Sequence, residues 1–148
     1  MTRKTLLTGI TLAAALLVTR GPSAQVVREA ETPSFVSAGG TRIQMLLDAS
    51  NLGGTEVELA EITFPAGANS RGHAHGSTEI FYVLEGTLEH IVNGESHMLS
   101  PGMVGFVRPP DEVEHKVGPD GPVRALVIWA PGGEAARITG SWTRGAVR

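Results

Sequence analysis

The sequence lacks several features, and each absence excludes a class of protein. There is no cysteine, which excludes disulfides, thiolate metal ligands and a cysteine nucleophile. The formal net charge is −3, so the chain does not have the basic balance of a nucleic-acid-binding protein. The longest apolar stretch covers residues 6–18 and is shorter than the roughly 20 residues that a membrane-spanning helix needs. Because the sequence has no cysteine, any metal site must use nitrogen and oxygen ligands.

Residues 1–24 have the layout of a secretory signal peptide. Arg3 and Lys4 form a short basic start, residues 6–18 are mostly apolar, and small and polar residues follow up to Ala24. This order is typical of export signals. We expect cleavage after Ala24, an exported protein in the periplasm or secreted, and no membrane attachment after cleavage. The alternative is an uncleaved N-terminal anchor.

The rest of the chain has the size and composition of a single domain. The full sequence has 148 residues, 41% of them hydrophobic, which is enough to bury one core. We expect an N-terminal arm over residues 25–40, a β-rich domain over residues 41–132 and a C-terminal tail over residues 133–148. Loss of residues 1–24 leaves nine basic and fifteen acidic residues, a net charge near −6.

Short β-type runs separated by turn residues fill the segment 41–132. Asn93-Gly94 and Glu85-Gly86 stand between paired runs, where hairpin turns are expected. Many short strands with regular turn signals predict an all-β sandwich or barrel. A single short helix is expected over residues 132–138. The predicted strands cover residues 42–47, 56–64, 79–84, 87–92, 96–99, 103–107 and 123–129.

A group of histidines and one glutamate has the spacing of a metal site. His73 and His75 are two residues apart, so in a strand they point to the same face. A carboxylate, Glu79, and a distant imidazole, His115, can converge with them on one cation. This mixed set of nitrogen and oxygen donors suits Mn, Fe, Co, Ni, Cu or Zn better than Ca or Mg. The pattern G-x5-H-x-H-x3-E-x6-G is formed by Gly67, His73, His75, Glu79 and Gly86.

This pattern resembles the first signature of the cupin family at every fixed position. The second cupin signature, G-x5-P-x-G-x2-H-x3-N, is matched in part, because Pro110 and His115 have the expected separation. Glu112 and Pro119 stand where that signature has glycine and asparagine, and Val104 stands at its leading glycine. The resemblance covers roughly residues 40 to 132.

The resemblance implies a double-stranded β-helix, or jelly roll, which holds a metal in its interior. It implies His73, His75, Glu79 and His115 as the ligands of one divalent transition metal: Mn, Fe, Ni, Cu or Zn. Glu79 is also a candidate catalytic base, because a positioned carboxylate can take a proton from a substrate. Because cupins commonly dimerise, a homodimer is expected as well.

Three functions are compatible with such a site. The first is a metal-dependent oxidoreductase or dioxygenase that acts on a small organic substrate, as in the quercetinase-type and germin-like cupins. The second is a metal-assisted isomerase, lyase or hydrolase. The third is a non-enzymatic protein that binds a metal or a small molecule.

Residues outside the pattern are interpreted as packing or surface residues. His90 and His97 match no position of either signature, and each is expected to pack or to face solvent. Tyr82 is expected outside the barrel because it alternates with its neighbour. The expected interior residues are Met45, Phe64, Phe81, Val83, Phe106 and Trp129.

Overall fold

Short antiparallel strands dominate the part of the chain that this computed structural model describes, residues 26–28 and 32–145. The predicted signal peptide, residues 1–24, lies outside the described residues. Within the described residues, no helix combines the length and the apolar character that crossing a membrane requires.

The elements follow one another along the chain with short connections. The two helices are α1 (Ala49–Leu52) and α2 (Glu134–Thr139). The strands are β1 (Ser34–Val36), β2 (Arg42–Leu47), β3 (Glu58–Phe64), β4 (His73–Ala74), β5 (Thr78–Glu85), β6 (Leu88–Val92), β7 (Glu95–Leu99), β8 (Val104–Val107), β9 (Glu112–Val117), β10 (Val123–Ala130) and β11 (Thr143–Arg144).

The strands form two sheets that face each other. The larger sheet has the order β11-β1-β2-β3-β10-β5-β8, and the smaller has the order β4-β9-β6-β7. One hydrophobic core takes side chains from both, for example Phe81 and Trp129 from the larger sheet and Leu88 and Val117 from the smaller. The predicted all-β class and its jelly-roll arrangement are therefore confirmed.

Alternation along the strands separates an interior face from an exterior face. In β5, Glu79, Phe81 and Val83 are buried, whereas Tyr82 is 42% exposed. Tyr82 therefore lies outside, as predicted. Because the period of a strand is two residues, this alternation sends Glu79 into the interior beside apolar side chains.

One of the two predicted hairpin turns is confirmed, because Asn93-Gly94 joins the paired strands β6 and β7. The prediction of a hairpin at Glu85-Gly86 is wrong, because β5 and β6 lie in different sheets and do not pair. Asn93 and Gly94 have φ values of 51° and 83°, the left-handed pair that a two-residue type I′ turn requires. Gly86 has φ 78°. A Cβ at Gly86 would lie 2.4 Å from the carbonyl oxygen of Pro122, so this turn also needs glycine for space.

Several sequence expectations differ from the structure. The strands β1, β4, β9 and β11 and the helix α1 were not predicted. The prediction that Phe106 lines the interior is wrong, because its side chain points outward and is 56% exposed. Its neighbour Gly105 takes the interior position, where a Cβ would lie 2.4 Å from Leu99 Cδ1.

The segments on either side of residues 41–132 also contribute elements. β1 and β11 pair with each other and extend the larger sheet. The predicted C-terminal helix is present as α2, whose first turn is fixed where the Ala135 amide donates to Glu58 Oε2 at 2.9 Å. This contact holds α2 against the sheet near the interior.

Candidate metal centre

The structure brings the four predicted ligand residues together between the two sheets. His73 lies in β4, His75 follows it, Glu79 lies in β5 and His115 lies in β9. The ring centroids of His73 and His75 are 4.8 Å apart, and those of His73 and His115 are 5.9 Å apart. His75 Nε2 lies 3.1 Å from Glu79 Oε2. Residues far apart in sequence thus converge because the smaller sheet supplies His115 and β5 supplies Glu79.

The outer nitrogens of His73 and His75 are held by hydrogen bonds. His73 Nδ1 lies 2.8 Å from the carbonyl oxygen of Arg71, and His75 Nδ1 lies 2.9 Å from Glu134 Oε1. These oxygens can only accept, so each Nδ1 carries the hydrogen and donates it. The lone pair of each neutral ring is then on Nε2, the nitrogen through which it would bind a metal.

The two carboxylate oxygens of Glu79 have different surroundings, one bound to the protein and the other facing the candidate site. The indole Nε1 of Trp129 donates to Glu79 Oε1 at 2.8 Å. Glu79 Oε2 accepts no hydrogen bond, and it lies 3.9 Å from His115 Nε2. Three buried atoms at this point have no hydrogen-bond partner: His75 Nε2, Glu79 Oε2 and His115 Nε2.

Burying three neighbouring polar atoms without hydrogen-bond partners costs free energy unless a cation binds to their lone pairs. Two ligand atoms about 2.1 Å from one ion and at right angles to each other are about 3.0 Å apart. The 3.1 Å between His75 Nε2 and Glu79 Oε2 fits this spacing, and the 3.9 Å to His115 Nε2 is wider. Within the described residues, no group of three or more His, Asp or Glu side chains is arranged so that it could hold a metal ion as it stands. The donor set suits a first-row transition metal.

The local electrostatics favour the protonation states that metal ligands need. Burial lowers the pKa of His115 to about 3, so this imidazole is neutral at physiological pH. Burial opposes ionisation of Glu79, but its contacts with His75, His115 and Trp129 lower its pKa overall. Glu79 is therefore a carboxylate at neutral pH, ready to bind a cation.

His75 lies between two carboxylates. Burial disfavours its charged form, but the hydrogen bonds and charges of Glu79 and Glu134 raise its pKa above the ordinary value. The pair of carboxylates thus attracts a positive charge to His75 Nε2, which a proton or a metal ion can supply. A proton and a metal compete for the same lone pair.

Glu134 is a site residue that the sequence analysis missed. It is 4% exposed, and its Oε1 accepts from His75 Nδ1 while its Oε2 accepts from the Gly76 amide at 3.2 Å. Arg137 Nε donates to the same carboxylate at 2.8 Å, and its Nη2 donates to Ala74 O at 3.0 Å. The only sequence signal was a glutamate at the start of the predicted short helix, and nothing there connects it to His75.

His90 packs behind the site and does not belong to the ligand set. It is 2% exposed, and its ring is stacked on that of His115 with centroids 5.2 Å apart. Its Nε2 donates to the carbonyl oxygen of Phe106 at 3.2 Å. His97, directly opposite His90 in β7, is exposed. The packing role expected of His90 is confirmed.

A small, mostly apolar cavity of about 130 Å³ opens beside the four predicted ligands. No Lys or Arg is among its lining residues within the described chain. A larger cavity of about 700 Å³ lies between β7 and β8, but it contains none of the four predicted ligands. The smaller cavity is therefore the candidate site, and its apolar lining includes Ile43, Ile62, Phe64, Phe81, Trp129, Ile138 and Trp142.

Comparisons with known proteins agree with this architecture. The family model described as a cupin domain matches residues 60–129. An RmlC-like cupin from Shewanella frigidimarina superposes with a TM-score of 0.63 at 25% identity, covering 76% of this chain and 96% of that chain. A protein of Thermotoga maritima named a predicted oxalate decarboxylase has a TM-score of 0.63 at 24% identity, covering 72% and 99%. The polyketide cyclase RemF from Streptomyces resistomycificus has a TM-score of 0.62 at 20% identity, covering 72% and 79%. No curated protein matches the chain.

Proposed function

The chain belongs to the cupin family, and we propose that it is a metal-dependent oxidoreductase of the dioxygenase type acting on a small organic molecule. One observation carries the proposal. His75 Nε2, Glu79 Oε2 and His115 Nε2 are buried, unpartnered and adjacent, and they border a cavity of about 130 Å³. Donor atoms arranged in this way beside a substrate-sized space support a metal centre that works on a bound molecule.

The residues of the chain would have the following roles. His73, His75, Glu79 and His115 would hold a divalent ion of Mn, Fe, Ni, Cu or Zn. The ion supplies Lewis acidity and, where it is redox-active, electron transfer to dioxygen. Four protein ligands would leave an octahedral ion room to bind a substrate or dioxygen, and the cavity beside the four residues would hold the substrate.

The cavity restricts the class of substrate. Its volume of about 130 Å³ is below the ~300 Å³ of ordinary drug-sized pockets. Its walls are apolar, and no cationic side chain of the described residues lines it. Small neutral molecules with two adjacent oxygens, such as a diketone in its enol form, therefore fit better than dicarboxylates, whose charge would find only the metal as a partner.

The second candidate function is a metal-assisted isomerase, lyase or hydrolase that uses Glu79 as a base. The two relatives named for a decarboxylase and a cyclase give this class its support. The environment of Glu79 is less suited to it, because the contacts with His75 and Trp129 lower the pKa of its carboxyl group and make it a weaker base. A binding protein without catalysis is the third candidate.

We also propose that the protein is exported. The support is the sequence alone, in which a basic start, an apolar stretch and small residues precede Ala24. Mass spectrometry of the protein recovered from the periplasm or medium would show the mature N-terminus, and a chain that retains Met1 would contradict cleavage.

The test of the proposed function combines metal content with oxygen uptake. The mature protein, purified without a metal-binding tag, is expected to contain about one transition ion per chain, and H75A is expected to lose most of it because a ligand is removed. H97A is the matched control, since it removes an exposed histidine outside the site, and it should retain the wild-type content.

Oxygen consumption then separates the three functions. The metal-loaded protein is expected to consume dioxygen with a small diketone, and H75A is not. Zinc as the native ion, with turnover of a substrate but no oxygen uptake, would favour the isomerase, lyase or hydrolase. Tight metal binding without turnover of either substrate class would favour the binding protein, and wild-type metal content in H75A would contradict the metal centre itself.

A further inference from the structure

The lining of the cavity beside the candidate metal centre divides into a buried part and a partly exposed part. Ile43, Phe81 and Trp129 are examples of the buried part, and each is at most 1% exposed. Five lining residues are partly exposed to solvent: Thr41, Ser70, His73, Ile138 and Trp142. We define these five residues as the mouth of the cavity, because a molecule that enters from solvent meets them before it meets the buried residues.

The mouth has a polar side and an apolar side. Thr41, Ser70 and His73 carry polar groups, whereas Ile138 and Trp142 are apolar and pack against the hydrophobic core. Trp142 has the largest side chain of the five. The cavity has a volume of only about 130 Å³, so an indole at its entrance has a large effect on the space that remains for a ligand.

The backbone on both sides of Trp142 is fixed to the rest of the fold. Before it, the Trp142 amide donates to the carbonyl oxygen of Thr139 at 2.9 Å, which closes the turn after α2. After it, β11 pairs with β1, and the Gly145 amide donates to the carbonyl oxygen of Ser34 at 2.8 Å. The indole therefore forms a fixed wall of the mouth.

The same stretch of chain also contacts the candidate metal centre. It begins with α2, whose first residue, Glu134, accepts the hydrogen bond of His75 Nδ1. The match to the family model ends at residue 129, so this stretch lies beyond the matched domain. One segment outside that domain thus orients a candidate ligand and narrows the entrance to the cavity.

We propose that Trp142 is a specificity-determining residue that sets the upper size limit for substrates of this site. A chelating molecule with short substituents passes the mouth, whereas the same molecule with an aromatic ring is excluded, because a packed wall yields little to added volume. The identity of the substrate rests on the proposed function. The narrowing of the mouth by Trp142 does not, and it can be tested separately.

Chemical labelling of the metal-free mature protein tests the mouth without metal, substrate or turnover. Diethyl pyrocarbonate reacts with neutral imidazole, and His115 lines the cavity with only 3% of its surface exposed. The reagent must pass the mouth to reach this ring. W142A is therefore expected to raise the labelling rate of His115 severalfold, as measured by mass spectrometry of peptides.

Two other histidines are internal references for this experiment. The side chain of His97 is 48% exposed, so its labelling rate should be high and equal in both proteins. His90 is 2% exposed and is not among the residues that line this cavity, so its rate should stay low. A rise at His90 that equals the rise at His115 would show general loosening of the fold and would overturn the proposal.

Ligand binding to the metal-loaded protein without oxygen tests the size limit itself. Acetylacetone and benzoylacetone differ by one substituent, a methyl group against a phenyl ring, and calorimetry gives both dissociation constants. The wild type is expected to bind benzoylacetone roughly tenfold or more weakly than acetylacetone. W142A should remove most of this difference, and W142F should restore part of it because phenylalanine keeps part of the volume.

Two further variants serve as control and second test. Y82A removes an aromatic side chain that is 42% exposed on the outer side of β5, and it should change neither the labelling nor the binding. I138A shortens the other apolar residue of the mouth and should act in the same direction as W142A, to a smaller extent. Circular dichroism checks that each variant is folded, and I138A decides the question if W142A is not.

Equal labelling of His115 in the wild type, W142A and I138A would overturn the proposal, because the entrance would then lie elsewhere. Equal affinity of the wild type for the two diketones would also overturn it. Faster labelling of His115 in W142A, without binding of either diketone, would confirm the narrowing by Trp142 and contradict the substrate class of the proposed function.

Discussion

At the scale of single residues, the candidate metal centre depends on partners behind the ligands. Arg71 O, Glu134 and Trp129 each bind the side of a predicted ligand that faces away from the site. These hydrogen bonds leave the atoms that face the cavity free to bind a cation. Holding the ligands in one orientation reduces the entropy lost when the metal binds.

Glu134 should contribute measurably to metal affinity. E134A removes the acceptor of the His75 Nδ1 hydrogen, frees the ring to rotate and should lower metal affinity by roughly 10–100-fold. E134Q keeps an acceptor oxygen and should lose less. Competition with a chromophoric chelator gives both dissociation constants.

The matched control for Glu134 is E112A, which removes an exposed carboxylate near the site. It alters the local charge but contacts none of the ligands. Equal losses in E134A and E112A would mean that charge alone accounts for the effect, and no loss in E134A would refute its positioning role.

The buried imidazole of His115 should make the metal-free protein sensitive to acid. Its folded pKa is about 3, against 6.5 in an unfolded chain, so below pH 6.5 the unfolded state binds a proton that the folded state does not. The free energy of unfolding should therefore fall with falling pH, by up to about 1.4 kcal/mol per pH unit. The raised pKa of His75 acts in the opposite sense, but its stabilisation is complete below pH 6.5 and is lost only as pH rises through that pKa.

Urea unfolding of the metal-free protein between pH 6.5 and 4.5 measures this slope. Above pH 4.5, the carboxyl groups with lowered pKa values, Glu79 and Glu134, add little to it. H115Q should flatten the pH dependence because the titrating ring is gone. The same slope in H115Q and the wild type would assign the acid sensitivity to other groups.

The convergence of the four candidate ligands could be predicted from the sequence, whereas the contact of Glu134 with His75 could not. His73, His75 and Glu79 lie within one short motif, so their proximity follows from the local sequence. Glu134 reaches His75 only because α2 folds back across 59 residues of chain. Long-range packing of this kind leaves no local pattern in the sequence.

At the scale of elements, the alternation of buried and exposed residues along a strand accounts for one correct sequence prediction and two wrong ones. The period of β5 correctly predicted Tyr82 outside. In β8, the same period places Gly105 and Val107 inside and Phe106 outside, because Leu99 and His90 already fill the space next to Gly105. The sequence analysis had placed Phe106 inside. β9 alternates as well, but its charged outward residues concealed the strand.

The turn at Gly86 provides a prediction for the element scale. G86A should destabilise the protein by roughly 1–3 kcal/mol, because alanine is strained at positive φ and its Cβ would lie 2.4 Å from Pro122 O. G94A is the matched control, since Gly94 has φ 83° and a Cβ there would meet no atom within 4 Å. G94A therefore carries only the backbone strain.

Thermal and urea unfolding of the two variants give the comparison. The difference between the unfolding free energies of G86A and G94A isolates the cost of the close contact between Gly86, which follows β5, and Pro122, in the loop before β10. Equal destabilisation in both variants would show that the backbone conformation alone requires Gly86.

At the scale of the whole molecule, the site lies where the two sheets meet. The larger sheet supplies Glu79 and Trp129, the smaller supplies His73 and His115, and α2 supplies Glu134. Turn residues and short β-type runs were enough to predict the all-β class, because those signals are local. Which strands lie side by side is decided by tertiary packing, and so the strand order of the two sheets was not foreseen.

The most direct test of the metal centre is anomalous diffraction from crystals of the metal-loaded mature protein, recorded at the absorption edge of the bound metal. We predict one peak per chain, about 2.0–2.3 Å from His75 Nε2, Glu79 Oε2, His115 Nε2 and the ring of His73, and no peak there in H75A. A peak at His90 and His97, at another surface, or unchanged in H75A would contradict the account.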